Sequence, residues 1–344
     1  MASSVHEQRL PALPLEGGGR LEAPVISYRS LGTLNAEGTN AVLVLHGYTT
    51  GPDMLEPGAS AAEGSWSELV GPGKPIDSDR YFVVCPNMLG SCYGSTGPRS
   101  VNEATGRRWG LDFPALTMAD IVRSQKSLLE AVGVKRLAAV AGPSFGGYQA
   151  LQWGVQYPDM MERIVVAVSA PWHPEGGGNS EDVRAQLAAM EGWHGGQYDR
   201  AAMLPGLRAL RIATLQRYGV EAELAPHLPD PAERTAAIMN MATDWAEGFD
   251  PGSLLVLIQA AERFDLHGQL GQLKAPLLWV LSRSDAVFPP ALIAAAGPLL
   301  DAAGVDWRAQ VLGSDKGHFA SGADAHLWAP SLRAFMNELT TCAS

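Results

Sequence analysis

Val140-Ala141-Gly142-Pro143-Ser144-Phe145-Gly146-Gly147 is the stretch that decides the fold. It carries Gly142-x-Ser144-x-Gly146, the spacing of a nucleophile elbow, in which a strand turns sharply into a helix and lifts one serine hydroxyl clear of the sheet. The flanks supply that context. An apolar run from Leu137 to Ala141 enters the turn, and a helical pattern from Tyr148 to Tyr157 leaves it. The glycines leave room for a substrate. The turn also sets the backbone N–H of Phe145 at the mouth of a helix, where it can donate to an oxyanion.

Working outward, the same rhythm repeats. Ala41–Leu45 ends at His46-Gly47, Tyr81–Cys85 at Pro86-Asn87, and Arg163–Ser169 at Ala170-Pro171. Leu277–Leu281 ends at Ser282-Arg-Ser-Asp285, and Trp307–Leu312 at Gly313. Near-continuous apolar strands separated by helices predict an α/β protein with a mostly parallel central sheet and helices on both faces. Ligands then sit beyond the carboxyl ends of the strands. The stretch 171–270 breaks this rhythm. It opens with the turn-rich His173-Pro-Glu-Gly-Gly-Gly178 and is rich in large side chains: Met190, Trp193, Met203, Met239, Met241 and Trp245. It is expected to be a helical lid inserted into the core, so that the chain divides into core 1–170, lid 171–270 and core 271–344. Extra core helices with ordinary methionine packing are the plainer alternative. The bulky side chains of the lid predict a small, apolar pocket that favours short acyl groups.

An alcohol nucleophile needs a base, and the base needs an acid to orient it. With a nucleophile elbow the chain order is serine, acid, histidine. Asp285 follows one predicted strand and His318 follows the last, so Ser144, Asp285 and His318 appear in that order at predicted strand ends. Asp315 is a rival acid, but it is too close to His318 in sequence to serve from a separate strand end. A second oxyanion donor is expected from the loop His46-Gly-Tyr-Thr-Thr-Gly51, with the N–H of Tyr48 as the candidate beside Phe145 and that of Gly47 as the alternative. His46 is read as structural, its ring bonded beneath the loop.

The 344 residues, 46% hydrophobic and 18% charged, suffice for one large domain with an insertion. A net charge of −11 with no basic block argues against nucleic acid and anionic membrane as partners. Cys85, Cys92 and Cys342 make no disulfide framework, and no His/Cys/Asp cluster has metal-ligand spacing, so neither metal nor cofactor is expected. No secretory leader pattern opens the chain and no apolar run approaches the roughly 18 residues of a membrane span, which makes a cytoplasmic location the expectation.

With these residues assembled, the chain resembles the homoserine O-acetyltransferase-like family of α/β-hydrolases. Asn87-Met-Leu-Gly-Ser-Cys-Tyr-Gly-Ser-Thr-Gly-Pro98 is similar to that family's long Asn-x-Leu-Gly-x-Cys-x-Gly-Ser-Thr-Gly-Pro segment, and Asn102–Gly106 and Phe113-Pro114 continue it. Ser144–Trp153 resembles the family's elbow and following helix, and Asp285-Ala-Val-Phe-Pro-Pro290 its acid loop. The resemblance implies the α/β-hydrolase fold, Ser144 as nucleophile, Asp285 as orienting acid, His318 as base, a ping-pong route through an acyl-serine, and a homodimer paired through lid helices. It also implies an arginine for the acceptor carboxylate, for which Arg184 in Ser180-Glu-Asp-Val-Arg184 is the candidate, a solvent-facing helix arginine being the alternative reading. One departure stands out. Homoserine transferases carry an aspartate directly after the histidine, placed to hold the acceptor's ammonium, and here that position is Phe319. Losing that charge-assisted partner is worth roughly 1.5–3 kcal/mol, which makes water the expected acceptor. The expectation is a serine carboxylesterase acting on small acyl esters, acetyl above all. An acyl-CoA-dependent O-acetyltransferase with homoserine or another small alcohol as acceptor is the alternative. A catalytically silent binder on this scaffold would have no need of an intact serine, aspartate and histidine set.

Overall fold

The computed structural model describes residues 4–59, 65–175 and 177–338. Its main sheet has eight strands: β1 (Ser4–Arg9), β2 (Val25–Leu31), β3 (Ala41–Val44), β4 (Phe82–Pro86), β5 (Leu137–Pro143), β6 (Ile164–Ala167), β7 (Leu277–Ser282) and β8 (Trp307–Leu312). They lie in the order β1-β2-β4-β3-β5-β6-β7-β8. β2 is antiparallel to both its neighbours, and from β4 to β8 every pairing is parallel.

Strand periodicity splits the core in two. Leu43, Val140, Ile164, Val166, Leu277 and Trp279 point to one face, under helices α1 (Met118–Ala131), α2 (Phe145–Gln156) and α8 (Ala291–Ala302). Val42, Val44, Ala139, Ala141, Val165 and Val280 point to the other, under Trp66 and the helix Ala329–Asn337 with its Trp328, Leu332 and Phe335. Successive side chains of a strand alternate faces, so two buried layers require the unbroken apolar runs seen in the sequence. Each fully buried Val or Leu contributes about 1.5–3 kcal/mol.

Register brings the carboxyl ends together. Val44 is level with Ala141, Pro143 with Ala167, Ala167 with Val280, and Ser282 with Leu312. The residues that follow, from His46, Ser144, Ser169 and Asp285 to His318, therefore emerge along one edge of the sheet.

Between β6 and β7 the chain forms a helical insertion of α3 (Ser180–Ala188), α4 (Arg200–Tyr218), α5 (Val220–Leu224), α6 (Pro231–Gly248) and α7 (Pro251–Glu262). Capping explains these boundaries. The side chains of Asn179, Asp199, Asp230 and Asp250 each accept a backbone N–H at the start of α3, α4, α6 and α7. Pro231 and Pro251 open their helices where no N–H is needed. Each cap is worth about 1 kcal/mol. Among the described residues no helix is long and apolar enough to cross a membrane. Cys85 and Cys92 are free thiols, and Cys342 lies outside the described residues.

Candidate active site

Ser144 sits at the junction of β5 and α2 with φ 53° and ψ −122°. A non-glycine residue there stores strain of roughly 1–3 kcal/mol, which persists only where the surroundings hold it. Three contacts do so. The Ser144 N–H donates to the Ala167 carbonyl at 2.9 Å, its own carbonyl accepts the Ser169 hydroxyl at 2.7 Å, and the Gly147 N–H donates to the same carbonyl at 2.8 Å. Gly146 is needed because a Cβ there would lie 2.1 Å from the Leu45 carbonyl oxygen. The elbow and the loop after β3 meet backbone to backbone.

The Ser144 hydroxyl lies 2.9 Å from Nε2 of His318, and Nδ1 of His318 lies 2.8 Å from Oδ2 of Asp285. All three residues are buried. Asp285 Oδ1 accepts the backbone N–H groups of Val287 at 2.8 Å and Phe288 at 3.2 Å. Burial works against its charge, but the His318 imidazole and these two donors prevail and hold the carboxyl below its usual range. The rings of Tyr218 and Phe288 flank the imidazole, with centroids at 4.6 and 5.7 Å. Asp315 instead pairs with Arg283 on the surface at 2.7 Å. The acid in contact with His318 is Asp285.

The α4–α5 corner presses on the loop that carries His318. Gly317 has φ +56°, and a Cβ there would lie 2.4 Å from the Tyr218 carbonyl oxygen. Gly219, at the turn between the two helices, has φ +93° and approaches Gly317 backbone to backbone.

The sequence reading expects the oxyanion donors in the backbone N–H groups of Phe145 and Tyr48, with Gly47 as the alternative. The Phe145 N–H shares its peptide with the Ser144 carbonyl, which the Ser169 hydroxyl holds. The Tyr48 N–H shares its peptide with the Gly47 carbonyl, which accepts from His46 Nδ1 at 2.9 Å and the Thr50 hydroxyl at 3.3 Å. A trans peptide points its N–H opposite its C=O, so fixing each carbonyl fixes the donor's direction. The Tyr48 ring stacks on that of Phe145 at 5.9 Å, and its hydroxyl donates to the Leu254 carbonyl in α7. His46 is structural. Its Nε2 accepts the Met88 N–H at 3.2 Å, and burial lowers its pKa to about 4, so the ring stays neutral.

Tyr48 and Tyr218 lie on the wall of a cavity of about 720 Å³, which the insertion completes with Arg211, Trp245, Ile258 and Glu262. That is the size of a drug-sized ligand site. Of the six Met and Trp side chains that suggested bulk, only Trp245 lines it. Met203 and Trp193 are spent on packing within the insertion, and Met239 is exposed.

Among the described residues no group of three or more His, Cys, Asp or Glu is placed to hold a metal ion. A hydroxyl, an imidazole and a carboxylate hydrogen-bonded in series can carry out nucleophilic acyl transfer.

Residues 40–299 match the model of the α/β hydrolase fold family. The chain is 35% identical to a homoserine O-acetyltransferase of Caulobacter vibrioides, over 95% of this chain and 94% of that one. It is 34% identical to that of Moorella thermoacetica, with the same coverage. The chain belongs to the homoserine O-acetyltransferase-like family of α/β-hydrolases. Among solved structures it resembles homoserine O-acetyltransferase from Bacillus anthracis, with a TM-score of 0.86 and 26% identity over 98% of each chain. It resembles esterase E22 equally, with a TM-score of 0.85 and 25% identity over 97% of this chain and all of that one.

Against the homoserine O-acetyltransferase pattern, two of the sequence expectations need correction. Arg184 is exposed on α3. The residues of that helix on the cavity are Asp182, Val183 and Gln186, and a 3.6-residue turn carries position 184 away from them. Two arginines line the cavity, Arg211 and the exposed Arg217, and the sequence reading missed both; Arg211 is the buried one. Its Nη1 donates to the Thr49 hydroxyl at 2.8 Å, and its guanidinium lies 5.2 Å from the centroid of the Trp245 ring. A signal was available. Met203, Leu207, Arg211 and Leu215 are the four buried positions of α4, spaced by four, and one of them is charged. Phe319 does not line the cavity either. Its ring is buried with Leu215, Val220 and Ile238, where an apolar side chain gains more from packing than from facing a polar substrate.

Proposed function

We propose that this enzyme hydrolyses small acyl esters, acetyl esters above all, through an acyl intermediate on Ser144. His318 Nε2 takes the Ser144 proton as Oγ attacks the ester carbonyl. Asp285 holds the Nδ1–H and stabilises the imidazolium that forms. The Tyr48 and Phe145 N–H groups receive the oxyanion, each donor being worth about 10²–10³ in rate. The alcohol leaves with the proton from His318, which then activates water to release the acid.

The observation that carries this reading is Phe319. At the position where homoserine transferases hold the acceptor's ammonium with an aspartate, this chain has a phenyl ring buried among Leu215, Val220 and Ile238. No carboxylate stands there to favour an amino acid over water in the second half-reaction.

Transfer is the second reading, and two observations favour it. The sequence relatives named above are called homoserine O-acetyltransferases. The cavity wall also carries both a buried cation, Arg211, and a carboxylate, Glu262, although Glu262 already accepts the Ser180 N–H and hydroxyl at 2.7 Å each. A hydroxy acid can use Arg211 without needing the missing aspartate. In either reading Arg211 receives a carboxylate on the alcohol portion of the substrate. Pairing of two copies through the insertion helices and a cytoplasmic location complete the proposal.

One assay separates the readings. The enzyme is given p-nitrophenyl acetate or acetyl-CoA with millimolar homoserine, and free acetate and O-acetylhomoserine are both measured. Free acetate as the main product of both donors supports hydrolysis. O-acetylhomoserine formed faster than free acetate overturns it in favour of transfer.

A further inference from the structure

Beneath the two oxyanion-donating segments runs a chain of buried side chains that the reaction scheme does not use. The Trp153 indole N–H donates to Gln125 Oε1 at 2.7 Å, and Gln125 Nε2 donates to Gln149 Oε1 at 2.6 Å. Gln149 Nε2 donates to two carbonyls, that of His46 at 3.1 Å and that of Phe145 at 3.3 Å. Gln125, Gln149 and Trp153 are fully buried.

The direction of this chain is forced. An indole N–H only donates, so it must meet the oxygen of the Gln125 amide. The Gln125 NH₂ then faces Gln149 and must meet an oxygen. That leaves the Gln149 NH₂, the one group able to satisfy two carbonyls at once, facing His46 and Phe145. A reversed Gln149 amide would set its oxygen against both carbonyl oxygens and its NH₂ against that of Gln125 in a dry site, at a cost too large to be populated.

The two carbonyls belong to different arms of the site. His46 precedes Gly47 and Tyr48 on the loop after β3, and Phe145 carries the other donor. Ser169 and Thr50 each fix one donor within its own arm, whereas Gln149 fixes the arms relative to each other. Where Gly146 lets the backbones touch, Gln149 fastens them. We propose that Gln149 is a positioning residue that sets the separation of the two oxyanion donors, and that Trp153, acting through Gln125, sets the direction in which Gln149 donates. This rests on the acyl-serine reading above.

The test uses Gln149→Met and Gln125→Met, which keep the side-chain length and remove the hydrogen bonds. We measure kcat and KM on p-nitrophenyl acetate, the Ki of a trifluoromethyl ketone that forms a tetrahedral adduct with serine, and thermal stability. A misplaced donor weakens the oxyanion and leaves ground-state binding alone. Gln149→Met is expected to lower kcat about 10- to 100-fold with KM nearly unchanged. The ketone Ki should rise by the factor by which kcat/KM falls. Gln125→Met, which touches neither arm, is expected to show the same pattern about tenfold weaker, and the double variant to be no worse than Gln149→Met alone. A loss of thermal stability with kcat unchanged would mark these residues as packing and overturn the inference. So would additive effects or a change confined to KM. If Gln149→Met does not fold, Gln125→Met decides by the same criteria. A wild-type chain that neither cleaves the ester nor is labelled at Ser144 by a fluorophosphonate overturns the acyl-serine reading, and this inference with it. An active wild type whose kcat survives both substitutions overturns this inference alone.

Discussion

Ser144, Asp285 and His318 follow the carboxyl ends of sheet strands, whereas Arg211, Tyr218 and Trp245 project from helices of the insertion. The two sides are held differently. On the strand side, backbone groups do the holding: Gly146 against the Leu45 carbonyl, the Ala167 carbonyl on the Ser144 N–H, and two backbone N–H groups on the Asp285 carboxylate. On the insertion side, side chains carry much of the contact, Arg211 on Thr49 and over Trp245, while the α4–α5 corner meets the core at Gly317 backbone to backbone. Backbone positions survive most substitutions, while side-chain positions change with each one. A family that keeps its chemistry and varies its acceptor would be expected to concentrate its differences on the second side.

Four measurements press on that contrast. Ser144→Ala is expected to lower kcat for ester cleavage by about 10⁶ with the fold intact by circular dichroism, and fluorophosphonate labelling should map to Ser144. Cleavage by the variant near the wild-type rate would remove the strand side from the chemistry. Asp285→Asn should lower kcat about 10⁴-fold by leaving the imidazole in the wrong tautomer, while Asp315→Asn changes it by less than about threefold. The opposite ranking would make the surface pair with Arg283 the working one.

The third measurement concerns pH. His46 titrates near 4 in the folded chain, below the ordinary 6.5. Between those values the unfolded chain binds a proton that the folded chain refuses, so stability falls as pH drops from about 6.5 towards 4. The loss from this one group reaches about 3 kcal/mol. Urea denaturation across that range should show it, and His46→Gln should flatten the slope. An unchanged slope would assign the loss elsewhere. Asp285 adds nothing to that window from its own depression. Its contribution is complete above the ordinary carboxylate range near 4 and is lost only as pH falls through its lower folded value.

The smallest expected effect lies on the insertion side. Arg211→Met should raise KM about 10-fold for an acetyl ester whose alcohol carries a carboxylate and leave p-nitrophenyl acetate unaffected. An equal loss on both substrates would mean that Arg211 supports the cavity rather than reading its occupant.

The same contrast explains what could be read from the sequence. The six strands from β3 to β8 were legible because each is a continuous apolar run, and their order of chemistry-bearing ends followed from the sheet rule. The antiparallel β1 and β2 were not read at all: β1 is mostly exposed, β2 is only partly buried, and their mixed composition carries no such run. The elbow at Ser144 and the contacts of Asp285 and His318 were legible from strand ends alone. Arg211 was not, because its role depends on which face of α4 the cavity touches, and that is settled by the packing of α4 on α6. The ring of Phe319 was expected beside the substrate and instead fills the seam between α4, α5 and α6. The Gln125–Gln149–Trp153 chain was invisible because its three members are scattered polar and aromatic residues until two helices bring them together.

The corner at Tyr218 and Gly219 carries a consequence for anyone wishing to change what this enzyme accepts. Because Gly317 touches that corner with no side chain between them, the insertion and the base share a boundary only one backbone thick. An exchanged insertion imports its own corner, and the imidazole settles wherever that corner lets it. Acceptor choice and proton transfer are thus not separable modules here, and an exchange that stops short of α4's last turn is the one expected to leave the base where it stands.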